Sequence, residues 1–521
     1  MRLLLRLCAG TLLALLSARA GYAQAYFNEQ YSNNNSGFQS GLTSIVVTDS
    51  GYVACGQASD YPYPNTGALM LRFLDPQGRQ TRVKYFGQPT AAYFSAFGSS
   101  LLTVPGGGFA MPGLYSTTLG SAHAILWRFD ARGDTLWTHR YPRAEAQAVY
   151  AGCATRDGGF TLFGSLEINN QLDYLLIRTD SLGNKLWERT YDLGYDDNGF
   201  AVTQTPDGGF LLTGYVSYQP NGADHDTFIV KTDSLGRKLW QRTFGGAPGS
   251  GGDGGGRGAV LRDGNYLIAA MIEKRVVNTI EQRRNILYKL TPQGQLLWQR
   301  EIGPTRNSLS PQAVHELPDG SIVVSGQQGD PTGATPVGNG FPEGFIYKVC
   351  ADGDSVWYRS FKKLTGGRSH NYVRDLRLAR DGGFVGCGFL FARAPDTGSS
   401  DAWAFKMDSA GYLLPGGAPP TVRCPRVVGV GAADQPTQPL VSLYPNPTAD
   451  VVTVSYRLPA GVSRADMLVV DAVGKLCART PLLGRQGEIT LPLTGLTPGI
   501  YSYRLLVLGA LMQTGKLVKL P

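Results

Sequence analysis

Residues 207–244 read DGGFLLTGYVSYQPNGADHDTFIVKTDSLGRKLWQRTF, and residues 157–191 read DGGFTLFGSLEINNQLDYLLIRTDSLGNKLWERTY. The two stretches are copies of one unit. Each opens on Asp-Gly-Gly, whose glycines accept the positive φ of a tight hairpin turn. Each continues through short alternating strands to Asp-Ser-Leu-Gly and a strand that opens on Trp187 or Trp240. Aligning the residue after the first turn gives Tyr52, Phe109, Phe160, Phe210, Tyr266, Ile322 and Phe384. Four residues on come Gly56, Gly113, Gly164, Gly214, Ala270, Gly326 and Gly388. Seven repeats follow, each with four strands, here lettered A to D. Strand A is typified by Ala201–Thr205, B by Phe210–Tyr215, C by Thr227–Thr232 and D by Leu239–Phe244. Four strands per unit, repeated radially, predict an all-β, seven-bladed β-propeller over 24–417.

The last repeat reaches strand C at Ala402–Asp408 and then runs into Leu414-Pro415-Gly416-Gly417, with no Trp strand. Phe27-Asn28-Glu29-Gln30-Tyr31 instead matches Trp187-Glu188-Arg189-Thr190-Tyr191. The N-terminal segment is therefore expected to supply the missing strand D and to remove an open sheet edge. The A–B and C–D turns are short and alike, so they share one face. The D–A and B–C connections are long and unlike one another, and they share the other. Gly245–Gly258, Ser217–Asp226, Ile272–Asn285, Gln327–Gly344 and Lys362–Tyr372 are examples. Variable loops on a rigid scaffold are the usual seat of binding, so that face and the axial channel are the expected ligand site.

The composition agrees. The 521 residues include 68 Gly, suited to many turns, and only 17% are charged, which argues against disorder. The net charge of +8 is concentrated at the ends of the chain. Arg2, Arg6 and Arg19 lie at the start, and 440–521 carries more bases than acids, so the middle is near neutral. Nothing favours nucleic acid. Residues 1–23 read as a signal peptide. Arg2 and Arg6 precede the apolar run Leu7–Leu16, and Gly21 and Ala23 suit a cut before Gln24. No later stretch is apolar enough to form a transmembrane segment. The six remaining cysteines form no metal-binding pattern, and as isolated residues in apolar strands they are expected to be small core residues.

Direct chemistry is sparse, with no nucleophile elbow, phosphate loop or Cys/His cluster. Asp224-His225-Asp226 suits a carboxylate-flanked base or metal ligand, although Asp226 occupies the position of Asp173 and Asp401 in other repeats. Asp196-Asp197-Asn198 offers oxygen ligands that calcium would accept; no other cofactor or metal is expected. Arg283 and Arg284, beside Lys274 and Glu281, form a solvated face able to meet acidic glycans. Tyr61, Tyr63, Tyr93 and Tyr218 are placed to stack on sugar rings, and His370 lies in the Lys362–Tyr372 connection.

The blades resemble a propeller family of secreted bacterial proteins, with Asp207–Gly214 followed by Asp226, Lys231, Asp233, Gly236 and Trp240. That resemblance implies fold, not activity. Residues 418–439 are a Pro-rich linker. Residues 440–521 alternate in short strands, expected as a small Ig-like β-sandwich. They are similar to the type A C-terminal sorting domain of the type IX secretion system of Bacteroidota. The matching elements are Tyr444-Pro445-Asn446-Pro447, Asp471 with Gly474-Lys475, Gly499-Ile500-Tyr501, and Lys516 to Lys519. The resemblance implies recognition by that translocon, usually removal by a sortase-like peptidase, and either release or attachment at the cell surface. The mature protein is expected as a binding module for polysaccharide or protein. A polymer-acting glycoside hydrolase or lyase and a structural surface repeat protein are the alternatives.

Overall fold

The computed structural model describes residues 25–32, 40–59, 67–98, 100–117, 122–192, 194–218, 225–245, 253–277, 280–306, 309–329, 342–366, 368–397, 400–417, 424, 440–458, 463–471, 476–507 and 510–520. These residues fold entirely as strands and turns, in two units, 1–427 and 428–521. No helix among them is long and apolar enough to cross a membrane.

The first unit is a succession of antiparallel strand groups in chain order. The first group is Ser40–Thr48, Gly51–Ser59, Gly67–Leu74 and Gln80–Phe86. The second has an interrupted inner strand, Ala91–Ser95 and Leu102–Thr103, then Phe109–Thr117, Ala122–Phe129 and Thr135–Tyr141. The third is Gln147–Ala154, Phe160–Ile168, Gln171–Thr179 and Lys185–Tyr191; the fourth is Asp196–Gln204, Phe210–Ser217, His225–Thr232 and Lys238–Phe244. A single parallel pairing, Leu172 with Asp196, joins these two into one eight-stranded sheet. The fifth is Gly254–Val260, Tyr266–Val277, Ile280–Leu290 and Leu296–Arg306, and the sixth is Leu309–Glu316, Ile322–Gly329, Pro342–Val349 and Ser355–Phe361. The last is His370–Leu378, Phe384–Phe391 and Ser400–Met407, with Phe27–Tyr31 as its outer strand.

That outer strand runs antiparallel to Ser400–Met407, with Phe27 opposite Lys406 and Tyr31 opposite Ala402. It reproduces what the matched strand Lys185–Tyr191 does. Tyr191 donates its hydroxyl to the Gly236 carbonyl of the next group at 2.7 Å, and Tyr31 donates to Gly78 of the first group at 2.6 Å. A Cβ on Gly236 would stand 2.7 Å from the Trp187 ring, and one on Gly78 would stand 2.5 Å from Phe27. Both glycines also have positive φ, so glycine is required twice over at each turn.

Each pair of neighbouring groups shares an apolar seam. Leu126 meets Phe160, Phe163 meets Phe210, Ile229 meets Ile268, Leu287 meets Phe345, and Trp357 meets Phe384. Val53 and Leu71 of the first group pack with Met111 and Trp127 of the second. One further seam holds Val385, Cys387 and Ala402 of the last group with Leu42, Ala54 and Met70 of the first.

The repeated Asp and Lys of the motif are partners. Lys231 is buried and pairs with Asp207 at 2.8 Å. Arg178–Asp157, Lys289–Asp263, Lys348–Asp319 and Lys406–Asp381 repeat the pair. The carboxylate thus ties the A–B turn to strand C, satisfying an ammonium that burial would otherwise penalise. Asp233 accepts the backbone N–H groups of Leu235 and Arg237, closing the C–D turn as an Asx motif.

Three expectations change. The Ile272–Asn285 connection is mostly strand, because Tyr266–Val277 and Ile280–Leu290 continue as a ladder beyond the sheet. Gly254–Gly258, read as loop, opens the inner strand of the fifth group. Cys350 and Cys424 are disulfide-bonded, with Cα atoms 5.2 Å apart, so these two are not plain core cysteines. Cys424, in the Pro-rich stretch, is thereby tied to the sixth group. Cys55 and Cys387 are buried thiols, as expected.

The second unit is a two-sheet sandwich. Val441–Tyr444, Val451–Arg457 and Gln486–Pro492 form one sheet, and Leu476–Leu483, Arg464–Val470, Gly499–Val507 and Ala510–Lys519 form the other. Val452, Val454, Met467, Val469, Leu505 and Leu517 fill the space between them.

Candidate functional site

The inner strands carry a feature that alternation alone does not reveal. Ladder register shifts between Leu42 and Ser44, Val149 and Ala151, Gly199 and Ala201, Gly254 and Arg257, Pro311 and Ala313, and Val373 and Asp375. A bulge of this kind re-aims its extra residue. The residues re-aimed are Thr43, Tyr150, Phe200, Gln312 and Arg374, with Gly255 and Gly256 in the fifth group. In the second group the strand is interrupted at Ala96, and Phe97 takes this place.

These side chains meet across groups. Phe97 stacks on Tyr150 at 5.8 Å, and Tyr150 meets Phe200 at 5.7 Å. Phe200 meets Tyr215 at 5.5 Å, and Tyr215 meets His225 at 4.6 Å. In the other direction the Arg374 guanidinium lies 5.6 Å from Phe97, bypassing the first group entirely, and 5.7 Å from Tyr372. His370 Nδ1 is 2.9 Å from the Tyr372 hydroxyl. The result is one continuous belt from His225 to His370; these two histidines open strands that follow long connections, while Tyr150, Phe200 and Arg374 stand at the mid-strand bulges. Burial raises the phenol pKa of Tyr150, Tyr215 and Tyr372, and holds His370 below its usual value, reinforced by Arg393. Burial thus favours the uncharged form of these tyrosines and of His370, beside the cationic Arg374.

Toward the A–B turns the inner strands surround a cavity of about 750 Å³, lined by Val46, Ala151, Ala201, Arg257, Gln312, His315 and Arg377 among others. This is within the range of ligand pockets. Asp375 is fully buried beside it and accepts from Ser44 Oγ at 2.7 Å, from the Ile45 and Leu376 N–H groups, and from Arg377.

Of the residues singled out from sequence, the belt collects His225 and His370. Asp196 accepts the Leu172 N–H, and its neighbour Asn198 donates to the Tyr215 hydroxyl. Asp196 and Asp197 open an inner strand and are not in a loop. Asp197 converges with Asp173 and Asp192, their carboxylate oxygens within 4.8 Å of one another. Burial and the Asp192 charge raise the pKa of Asp173. Of the three residues that suit calcium by sequence, only Asp197 belongs to this trio. Arg283 and Arg284 stand on the Ile280–Leu290 strand, where Arg284 pairs with Glu301 at 3.3 Å, apart from the belt. Tyr93 is buried against Trp127 and is not available for stacking on a ligand. Tyr61, Tyr63 and Asp224 lie outside the described residues. Phe97, Tyr150, Phe200, Arg257 and Arg374 were missed by the sequence reading. The signal was present: Tyr150, Phe200, Gln312 and Arg374 each stand ten residues before the strand B anchor, in a column that never repeats.

In the sandwich the sorting-motif residues meet. Asn446 donates from its side-chain amide to the Lys516 carbonyl at 2.6 Å and accepts the Val518 N–H at 2.9 Å. Tyr444 donates to Glu488 at 2.6 Å, Gly499 pairs with Lys519, and Tyr501 donates to the Thr497 carbonyl. Lys519 reaches Asp450 at 3.3 Å. The Tyr444–Pro447 segment is thus clamped onto the last strand. Gly474 and Lys475 lie outside the described residues.

Residues 442–519 match the family described as the secretion system C-terminal sorting domain. The chain ends in a sorting domain. That tail marks a secreted protein, exported to the cell surface or beyond, and implies contact with the secretion machinery. No curated protein matches the chain. Among solved structures, a protein of unknown function from Dyadobacter fermentans is 8% identical, with a TM-score of 0.38, covering 62% of this chain and 98% of its own. Sqt1 from Chaetomium thermophilum is 12% identical, with a TM-score of 0.39, covering 76% and 89%. An apocarotenoid oxygenase from Synechocystis is 10% identical, with a TM-score of 0.38, covering 72% and 94%. The neighbours are β-propeller-like.

Proposed function

We propose that the protein is an exported seven-bladed β-propeller, closed by its N-terminal strand, that binds polysaccharide at the long-connection mouth of its axial channel. The observation that carries the reading is the aromatic belt from His225 to His370, whose rings come from several strand groups and offer flat apolar faces for pyranose rings. Ring closure is supported by the pairing of Phe27–Tyr31 with Ser400–Met407 and by the seam between last and first groups. The N-terminal 23 residues act as a signal peptide. The sorting domain engages a type IX translocon of a member of the Bacteroidota, and a sortase-like peptidase removes it. The reading needs no cofactor or metal.

The test is a glycan array probed with the full chain, followed by incubation with every oligosaccharide retained. Retention of one glycan class without cleavage supports the reading. Failure to retain any glycan overturns it. The enzymatic alternative draws on one observation, the Asp173, Asp192 and Asp197 trio, in which burial and the Asp192 charge raise Asp173 in the direction a general acid needs. Product release that Asp173→Asn abolishes would select that alternative.

A further inference from the structure

Two guanidinium groups converge at the axis, neither of them in an ion pair with a carboxylate among the described residues. Arg257, from the fifth group, is buried. It donates to the Phe200 carbonyl of the fourth group and to Gln312 Oε1 of the sixth, the latter at 3.0 Å. Its Nη2 stands 2.8 Å from where a Cβ on Gly98 of the second group would lie, so it spans the channel. Arg374, from the last group, faces Phe97 and Phe389, and its buried Nε has no hydrogen-bond acceptor. Burial pushes both below the usual guanidinium value, Arg257 to about 10, with the Asp375 charge opposing that shift and the Arg374 charge adding to it. Both remain cationic at neutral pH.

The nearby acid, Asp375, favours the charged form of Arg257 through space but forms no ion pair with it. Asp375 is committed to Ser44, two backbone N–H groups and Arg377. Glu316 accepts the Arg262 N–H. Among the described residues no carboxylate pairs with Arg257 or Arg374. Burying charge without a counter-charge is costly, so the arrangement favours any anion that enters.

We propose that the axial end of the belt binds the carboxylate of an acidic saccharide, with Arg374 and Arg257 as its cationic ligands. The inference rests on the polysaccharide reading above and narrows it to uronic-acid units. A guanidinium fork matches a planar carboxylate edge to edge. The partly exposed ring of Phe97, which contacts both Tyr150 and Arg374, gives the sugar body an apolar face, which a free inorganic anion would not use.

The experiment is calorimetric titration of the full chain with a uronic-acid oligosaccharide and with the same oligosaccharide reduced to its neutral alcohol. The acid form is expected to bind more tightly by roughly tenfold or more, with affinity falling as salt rises. Arg374→Gln is expected to erase the difference while leaving weak binding of the neutral form. Equal affinity for both forms in the wild-type protein overturns the anion inference yet leaves polysaccharide binding standing. No binding of either form overturns this inference, and if the glycan array is also blank, the broader reading falls with it. Sulfate competing as well as the oligosaccharide, or an acidic peptide binding in its place, likewise overturns the saccharide assignment. The wild-type comparison needs no variant, so misfolding of Arg374→Gln does not blunt the test.

Discussion

Lys406 shows what the repeated motif does at the level of single residues. Its ammonium is almost wholly buried and is neutralised by Asp381 at 2.8 Å, while also donating to the Met407 carbonyl. Asp381→Ala would strand that charge, and a loss of about 3–5 kcal/mol is expected in urea denaturation, largely recovered by adding Lys406→Met. The pair at Arg178–Asp157, where the acid is mostly exposed, is expected to yield a smaller loss. The motif's columns were legible in sequence because they repeat. Their pairing was not, since a column gives a position and never a partner. His315 supplies a pH test. Its ring nitrogen contacts the Leu376 carbonyl at 2.6 Å, and burial with the Arg377 charge lowers its pKa below 6.5. The unfolded chain then binds the extra proton, so this stability is present above pH 6.5 and lost as pH falls below it. The melting temperature of the wild type is expected to drop between pH 7 and 5.5 more than that of His315→Gln; parallel curves would contradict the assignment.

Among the elements, the N-terminal strand is where sequence and structure agree most closely. Phe27 to Tyr31 was matched to Trp187 to Tyr191 by residue type, and Tyr31 and Tyr191 make the same hydroxyl bond to a glycine carbonyl. Phe27→Ala is expected to cost about 3–4 kcal/mol by emptying the seam around Tyr52 and Leu74. Removing residues 24–32 should do more, because Ser400–Met407 becomes an open edge that invites aggregation, visible by light scattering. A truncated chain that melts as the full one does would refute the strand's role. The Cys350–Cys424 bridge is a second tie, and Cys350→Ser with Cys424→Ser should lower stability by about 2–4 kcal/mol. It was not legible, because six cysteines without spacing signals leave the pairing open. The bulges were hidden for a different reason. A single inserted residue disturbs strand alternation no more than an ordinary irregularity, so Tyr150 and Phe200 read as unremarkable strand residues.

For the molecule as a whole, address and cargo separate cleanly. The address was legible because several motifs fall in order across 442–519, and Asn446 joins the first of them to the last. The candidate site in the cargo was legible only in outline. The sequence placed it at the long connections, and found His225 and His370 at the two ends of the belt. The middle is built by residues that chain order scatters over several strand groups. Scattered residues of this kind leave no local motif, which is why composition and spacing could not identify a ligand. Binding rather than scaffolding therefore hangs on the rings in that middle. The most direct measurement is a glycan array probed in parallel with the full chain and with Tyr150→Ala/Phe200→Ala, both checked for the same melting profile. The wild type is expected to retain a defined glycan class and the variant to lose it; identical retention by the two proteins would contradict a site at the belt.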